Sequence, residues 1–161
     1  MRLQQKFIEW VISEVSSEIP IYLGGASNID VTSCWRISNT DVIEFEPLRN
    51  DHEEADDRIM YHINHAVNHD KCERVVIASA DTDVFICSMY HFSRWVYRGL
   101  QEMWIVSGKR GSRSAMPIHQ LVEKLDSTVI DILPAVHSLT GLFLFFSGVG
   151  LVDSSKHLMY S

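Results

Sequence analysis

Two short acidic clusters carry the most specific chemistry this chain offers. Glu54-Ala55-Asp56-Asp57 follows His52-Glu53 and opens a stretch of helical pattern, and Asp81-Thr82-Asp83 comes just after the apolar run Val75-Val76-Ile77-Ala78. Carboxylates at a helix entry are favoured for their own sake, because each complements the positive end of the helix dipole by about 0.3 to 1 kcal/mol. An aspartate at the end of a buried strand, followed by another at the cap of the next helix, is a more specific arrangement. If the strands run parallel, both clusters can meet beyond their carboxyl ends, where open α/β folds bind ligands. Carboxylates held that close repel unless a cation lies between them, and an all-oxygen donor set suits Mg²⁺ or Mn²⁺. The expectation is phosphoryl-transfer chemistry, with Glu54, Asp56, Asp81 and Asp83 as catalytic and metal-holding groups and Asp57 as a further ligand.

These side chains must be positioned by regular elements, and the apolar spacing indicates which. Phe7, Ile8, Val11, Ile12 and Val15 recur at helical spacing from Leu3 to about Ser17. Pro20 stops that helix, and Ile19 to Leu23 reads as a short strand ended by Gly24-Gly25. Between Ala26 and Asn50, strand candidates at Thr32 to Ile37 and Val42 to Phe45 predict a hairpin or an irregular excursion. Ile59, Ile63, Ala66 and Val67 form the core stripe of the acidic-entry helix. Arg74 to Ser79, nearly all apolar, predicts a central parallel strand covered on both faces. Asp83 to Tyr90 follows as helix and Glu102 to Val106 as strand, a β-α-β alternation of a three-layer α/β domain. Pro117 at an early position predicts a helix over Met116 to Leu125, Thr128 to Leu133 is open between strand and helix, and Pro134 to Thr140 predicts a short helix ended by Gly141.

Other residues offer weaker chemistry. Lys109, Arg110 and Arg113, between glycines in Ser107 to Arg113, could grip a phosphate backbone with Lys156 as a distant helper, or could form a solvated turn between strand and helix. His62, His65 and His69, with Cys72 beyond, share one helix face and could hold zinc, although no acidic residue lies between them. No Gly-x-Ser-x-Gly elbow or Gly-Lys-Ser/Thr phosphate loop is present, and Cys87 lies in an apolar helix where a thiol is inert.

Composition bounds the rest. A chain of 161 residues, 46% hydrophobic, can bury a core without disulfides or structural metal. The three cysteines lack metal-finger spacing and imply a reducing, intracellular setting, nuclear or cytoplasmic. A net charge of −7 argues against a uniformly basic nucleic-acid binder. The apolar run from Gly141 to Val152 is too short to span a bilayer core of about 30 Å as a helix, so no membrane role is expected.

The segments Glu54-Ala55-Asp56-Asp57 and Val75 to Val84 resemble the second acidic motif and the strand-then-paired-aspartate motif of the flap-endonuclease and bacterial 5′-nuclease superfamily, whose fold is PIN-like. Leu133 to Gly141 is similar to the approach to that family's third acidic motif, and Gly148-Val149-Gly150 to its helix-hairpin-helix glycines. His52 to Asp56, with Met116-Pro117-Ile118-His119, looks most like PIN-like proteins of animal genomes, some carried by mobile elements. The resemblance covers residues 50 to 141 and departs at both ends. Leu142 and Phe143 stand where the family places its closing aspartate, and nothing before Glu54 supplies an obvious equivalent of the first one, Asp30 lying in the undecided stretch and Asp41 being a weak candidate.

The resemblance thus implies a PIN-like three-layer domain with a mostly parallel sheet over residues 1–141, truncated at its front, then a divergent apolar tail over 142–161. It implies a metal-dependent nuclease-like function on phosphodiester bonds of DNA or RNA. Two-metal hydrolysis needs cations about 3.5 to 4 Å apart, and a constellation short of carboxylates at both ends implies a degenerate site. The alternatives are a non-catalytic interaction module of the same fold, with Leu142 to Val152 docking on a protein partner, and the helix-borne zinc protein.

Overall fold

The computed structural model describes residues 20–24, 32–38, 41–52, 54–108 and 111–140, with Lys6 and Trp10 in addition. Lys6 and Trp10 are helical, and the rest of the expected first helix lies outside the described residues. So do Asp30, Lys109, Arg110 and the whole tail from 141 to 161.

In chain order the elements are β1 (Ile21–Gly24), β2 (Cys34–Ser38), β3 (Asp41–Glu44), a one-turn 3-10 helix (Glu46–Leu48), α1 (Ala55–Asn68), β4 (Arg74–Ala78), α2 (Thr82–Val96), β5 (Glu102–Ser107), β6 (Ser114–Pro117), α3 (Ile118–Lys124) and α4 (Ser127–Thr140). Strands β1, β2 and β3 form an antiparallel sheet, while β4 runs parallel to β5 and β5 antiparallel to β6. The protein is therefore mixed α/β, with four helices and two three-stranded sheets among the described residues.

The main core grows from the period of each element. Along β4 and β5 alternate residues turn inward, so Val75, Ile77, Met103 and Ile105 are buried. Met60, Ile63 and Val67 recur at helical spacing on α1 and meet them. Val84, Met89, Phe92 and Trp95 of α2, Ile118 of α3 and Leu133 of α4 complete the same cluster. All four helices thus cover one face of the β4-β5-β6 sheet.

The opposite face departs from expectation. Among the described residues β4 is an edge strand, paired only with β5, and Arg74, Val76 and Ala78 are exposed, Val76 at 61%. Arg74 grips Glu102 through Nε at 2.9 Å and Nη2 at 3.0 Å, and the Trp104 indole N–H donates to Glu102 at 3.1 Å. A strand of valine, isoleucine and alanine reads alike whether one face is covered or two, which is why its sequence predicts a central position. Nor is the sheet mostly parallel, since β6 returns antiparallel. The described residues form no second helical layer.

Two prolines also sit differently from their sequence-based placement. Pro117 ends β6 and caps α3, so the helix begins at Ile118 and the basic loop joins two strands rather than a strand and a helix. Pro134 lies inside α4, which runs unbroken from Ser127. Its missing N–H removes one helical bond, but Ile130 and Leu133 are buried just before it and hold the helix in place.

Truncation in the core and on the surface should differ sharply. Met103, fully buried on β5, should cost about 2 to 5 kcal/mol as Met103→Ala. Tyr97, 91% exposed at the end of α2, should change stability by less than about 0.5 kcal/mol as Tyr97→Ala. Urea unfolding of the two variants measures both.

Candidate functional site

The acidic clusters are placed by how α1 lies against α2. The Trp95 indole donates to Asn64 Oδ1 at 3.3 Å, and the Arg98 guanidinium donates to Asn68 Oδ1. These pairs are 31 and 30 residues apart, so the two helices run side by side in the same direction. The same offset sets Glu54 beside the first turn of α2. Both acidic entries therefore lie at one end of the domain, the end where β4 finishes.

Each carboxylate there has a distinct setting. Asp81 caps α2, its Oδ1 accepting the Asp83 N–H at 3.0 Å, while its own N–H donates to Ser79 Oγ at 3.0 Å. Glu54 caps α1 through its backbone, its carbonyl accepting from Arg58 N–H at 3.3 Å, with no side-chain capping bond. Asp57 lies 3.9 Å from His52 Nδ1. Asp83 meets the His137 imidazole Nε2, which α4 brings in from 54 residues away. Asp56, Asp57 and Asp83 also converge on Cys87. Burial pushes that thiol's pKa up, and the three carboxylates push it further in the same direction. A raised pKa keeps Cys87 protonated and a poor nucleophile.

The carboxylates share a face without forming a cage. Among the described residues, no group of three or more His, Cys, Asp or Glu side chains is placed to hold a metal ion. The expected set of Glu54, Asp56, Asp57, Asp81 and Asp83 is thus an acidic surface, and two of its members, Asp57 and Asp83, lie against imidazoles.

The basic loop opens on the same end. Because β4 and β5 are parallel, with Ala78 opposite Val106, the loop after β5 leaves from the edge where Asp81 begins α2. Gly108 takes φ +97°, and a Cβ there would fall 2.4 Å from the Ser112 carbonyl oxygen, so glycine is required for this turn. Arg113 is exposed on it, while Lys109 and Arg110 lie outside the described residues.

The histidine run serves as a packing face for the β1-β2-β3 sheet. His65 is buried, stacks on His69 at 4.7 Å and meets Phe45 edge-on at 5.5 Å. Its Nδ1 is 3.7 Å from Asp70. His62 lies under Gly24, where a Cβ would come 3.1 Å from its Nε2. Spacing alone placed these rings on one helix face; it carried no sign that a sheet covers that face. Sequence reasoning also missed His137 at Asp83 and Ser79 at Asp81. Nothing local marks the first pair, whereas Ser79 two residues before a capping aspartate is a turn signal that could have been read.

Two measurements check this geometry. Asp57→Asn and Asp83→Asn should each lower the Cys87 pKa, so that iodoacetamide alkylates its peptide faster than in wild type at about pH 8; unchanged rates would place the carboxylates elsewhere. Burial holds the His62 pKa below its ordinary 6.5, with His65 and Arg58 adding repulsion. His91, half-buried and stacked on Trp95, is lowered in the same way, by burial and then by Arg94, with Asp57 opposing. A pKa lower in the folded state means that the unfolded chain takes up protons first. Stability should be full above pH 6.5 and fall as the pH drops through it towards the folded values. His62→Gln should blunt that fall in denaturant titrations across this range.

No protein-family model, curated protein or solved structure matches this chain.

Proposed function

We propose that this chain is a nuclease-like domain of PIN-like design that engages the phosphate backbone of DNA or RNA through a divalent cation, with a carboxylate set too sparse for two-metal cleavage. The observation that carries the reading is the parallel register of α1 and α2, which sets Glu54, Asp56 and Asp57 at the same end as Asp81 and Asp83. Mg²⁺ is often held by one or two carboxylates together with substrate phosphates rather than by an all-protein cage. An acidic face with a basic loop beside it suits that division: the carboxylates take the cation, and Arg113, with Lys109 and Arg110 in the same loop, takes neighbouring phosphates.

A second reading rests on a different observation. Val129, Ile132, Val136 and Leu139 are exposed and recur at helical spacing along α4, Leu139 at 87%. An apolar stripe of this kind marks an interaction surface, and the pairing of Asp83 with His137 diverts a carboxylate from cation chemistry. A non-catalytic interaction module accounts for both features.

Fluorescence anisotropy with labelled single-stranded and flapped DNA and RNA, with and without Mn²⁺, separates the two. The first reading expects Mn²⁺ to tighten binding at least about tenfold, a difference of roughly 1.4 kcal/mol. It expects Asp81→Asn to abolish that gain and Arg113→Glu to weaken binding at any cation level. Asparagine caps a helix as well as aspartate does, so Asp81→Asn removes charge and keeps the cap. Binding unaffected by Mn²⁺, or a gain that survives Asp81→Asn, would overturn the cation reading. Zinc binding that withstands Asp81→Asn and is lost in His62→Gln would point to the histidine face instead.

A further inference from the structure

The end of the domain opposite the acidic entries gathers positive charge. Because α1 and α2 run in the same direction, their last turns lie together, about 20 Å from the carboxylates over the 14 residues of α1. Lys71 Nζ donates to the Asn68 carbonyl at 2.8 Å and the Arg98 guanidinium donates to the Asn68 side chain, so both cations converge on one residue. Arg94 stands one turn before Arg98, its guanidinium 4.0 Å from the centre of the Tyr90 ring and donating to the Tyr90 hydroxyl at 2.6 Å. Among the described residues, no carboxylate lies at ion-pair distance from Lys71, Arg94 or Arg98, whereas Arg49 and Arg74 each hold a glutamate. Asp70, next to Lys71, lies 3.7 Å from His65 on the side of the β1-β2-β3 sheet, and Glu73 is exposed just before β4.

Helix dipoles favour cations at such an end, and Lys71 caps Asn68 in that way. Capping does not account for the arginines. The last carbonyls of α2, at Trp95 and Val96, already accept the backbone N–H groups of Arg98, Leu100 and Gly99. Directly before Arg98, Tyr97 is 91% exposed, which leaves its ring open to a planar partner.

We infer that Lys71, Arg94, Arg98 and Tyr97 form a second contact for single-stranded nucleic acid, the cations taking phosphates and Tyr97 stacking on a base. The inference rests on the nucleic-acid reading above and extends the bound strand from the acidic end to the far end of α1 and α2. Each arginine makes one hydrogen bond through its guanidinium, so most of its five N–H donors remain for phosphate oxygens. Arg94 is already ordered against the Tyr90 ring, which lowers the entropy lost on binding. An exposed ring beside unpaired cations suits a strand with bases to stack; an acidic peptide would use the charge and leave the ring idle.

Fluorescence anisotropy with labelled oligothymidylate in EDTA, repeated over a series of salt concentrations, tests this apart from any cation. Arg94→Gln with Arg98→Gln removes two phosphate contacts, so the slope of log K against log salt should become shallower by about 1.4. Tyr97→Ala should weaken binding about tenfold and leave the slope unchanged. Arg98→Lys keeps the charge and should keep the slope, which separates lost charge from lost folding. An unchanged slope in the double variant, an unaffected affinity in Tyr97→Ala, or competition by polyglutamate as strong as by unlabelled oligothymidylate overturns the inference. Absence of any binding by wild type overturns it together with the nucleic-acid reading. Binding in EDTA that depends on both arginines and Tyr97, with no gain on adding Mn²⁺, supports it while the cation reading alone fails.

Discussion

The parallel packing of α1 on α2 is the constraint from which the rest of the arrangement follows. Trp95 is buried between the helices and its indole N–H needs a partner, which Asn64 supplies. That single polar requirement in an apolar seam fixes the offset between the helices more tightly than packing of Met60, Ile63 and Val67 alone, because apolar contacts tolerate sliding and a hydrogen bond does not. With the offset set, the two helix entries have no choice but to share an end. The acidic surface is therefore a consequence of core geometry, and it exists whether or not a cation visits it.

Charge at that end is offset in part locally, within a chain whose net charge is −7. The positive ends of two helix dipoles point at the same region, which offsets part of the repulsion among the carboxylates. His52, Arg58 and His137 stand around the rim, and Arg58 donates to the His52 carbonyl at 2.6 Å, tying the approach segment to α1. The protein itself thus supplies part of the compensation this acidic surface needs. This also explains why its carboxylates need not be drawn into a tight group.

Sequence reasoning read some of this well. The acidic helix entries and the strand before Asp81 were legible because each carries a local signal, charge at a cap or an apolar run, whereas the stretch holding β2 and β3 showed its strand candidates but left a hairpin or an irregular excursion open. Element positions were close, with α1, β4 and β5 within a few residues of expectation. Layering was not legible. Whether Val76 faces water or a second helix depends on segments distant in sequence, and its side chain is the same in either case. The continuity of α4 through Pro134 was hidden for a related reason: the proline signal is local, and the burial of Ile130 and Leu133 that overrides it is tertiary. His137 reached Asp83 through the fold of α4, which no spacing rule foretells.

The β1-β2-β3 sheet has a small core of its own. Cys34, Ile37 and Leu48 are buried there, yet none belongs to the cluster that unites the four helices with β4 and β5. The sheet meets α1 through ring contacts of His65 with Tyr22 and Phe45 and through His62 under Gly24, and the Tyr61 hydroxyl donates to the Pro47 carbonyl at 3.4 Å. A seam of rings and imidazoles, separate from the main apolar cluster, holds less buried apolar surface than the core, and local opening starts in regions of that kind.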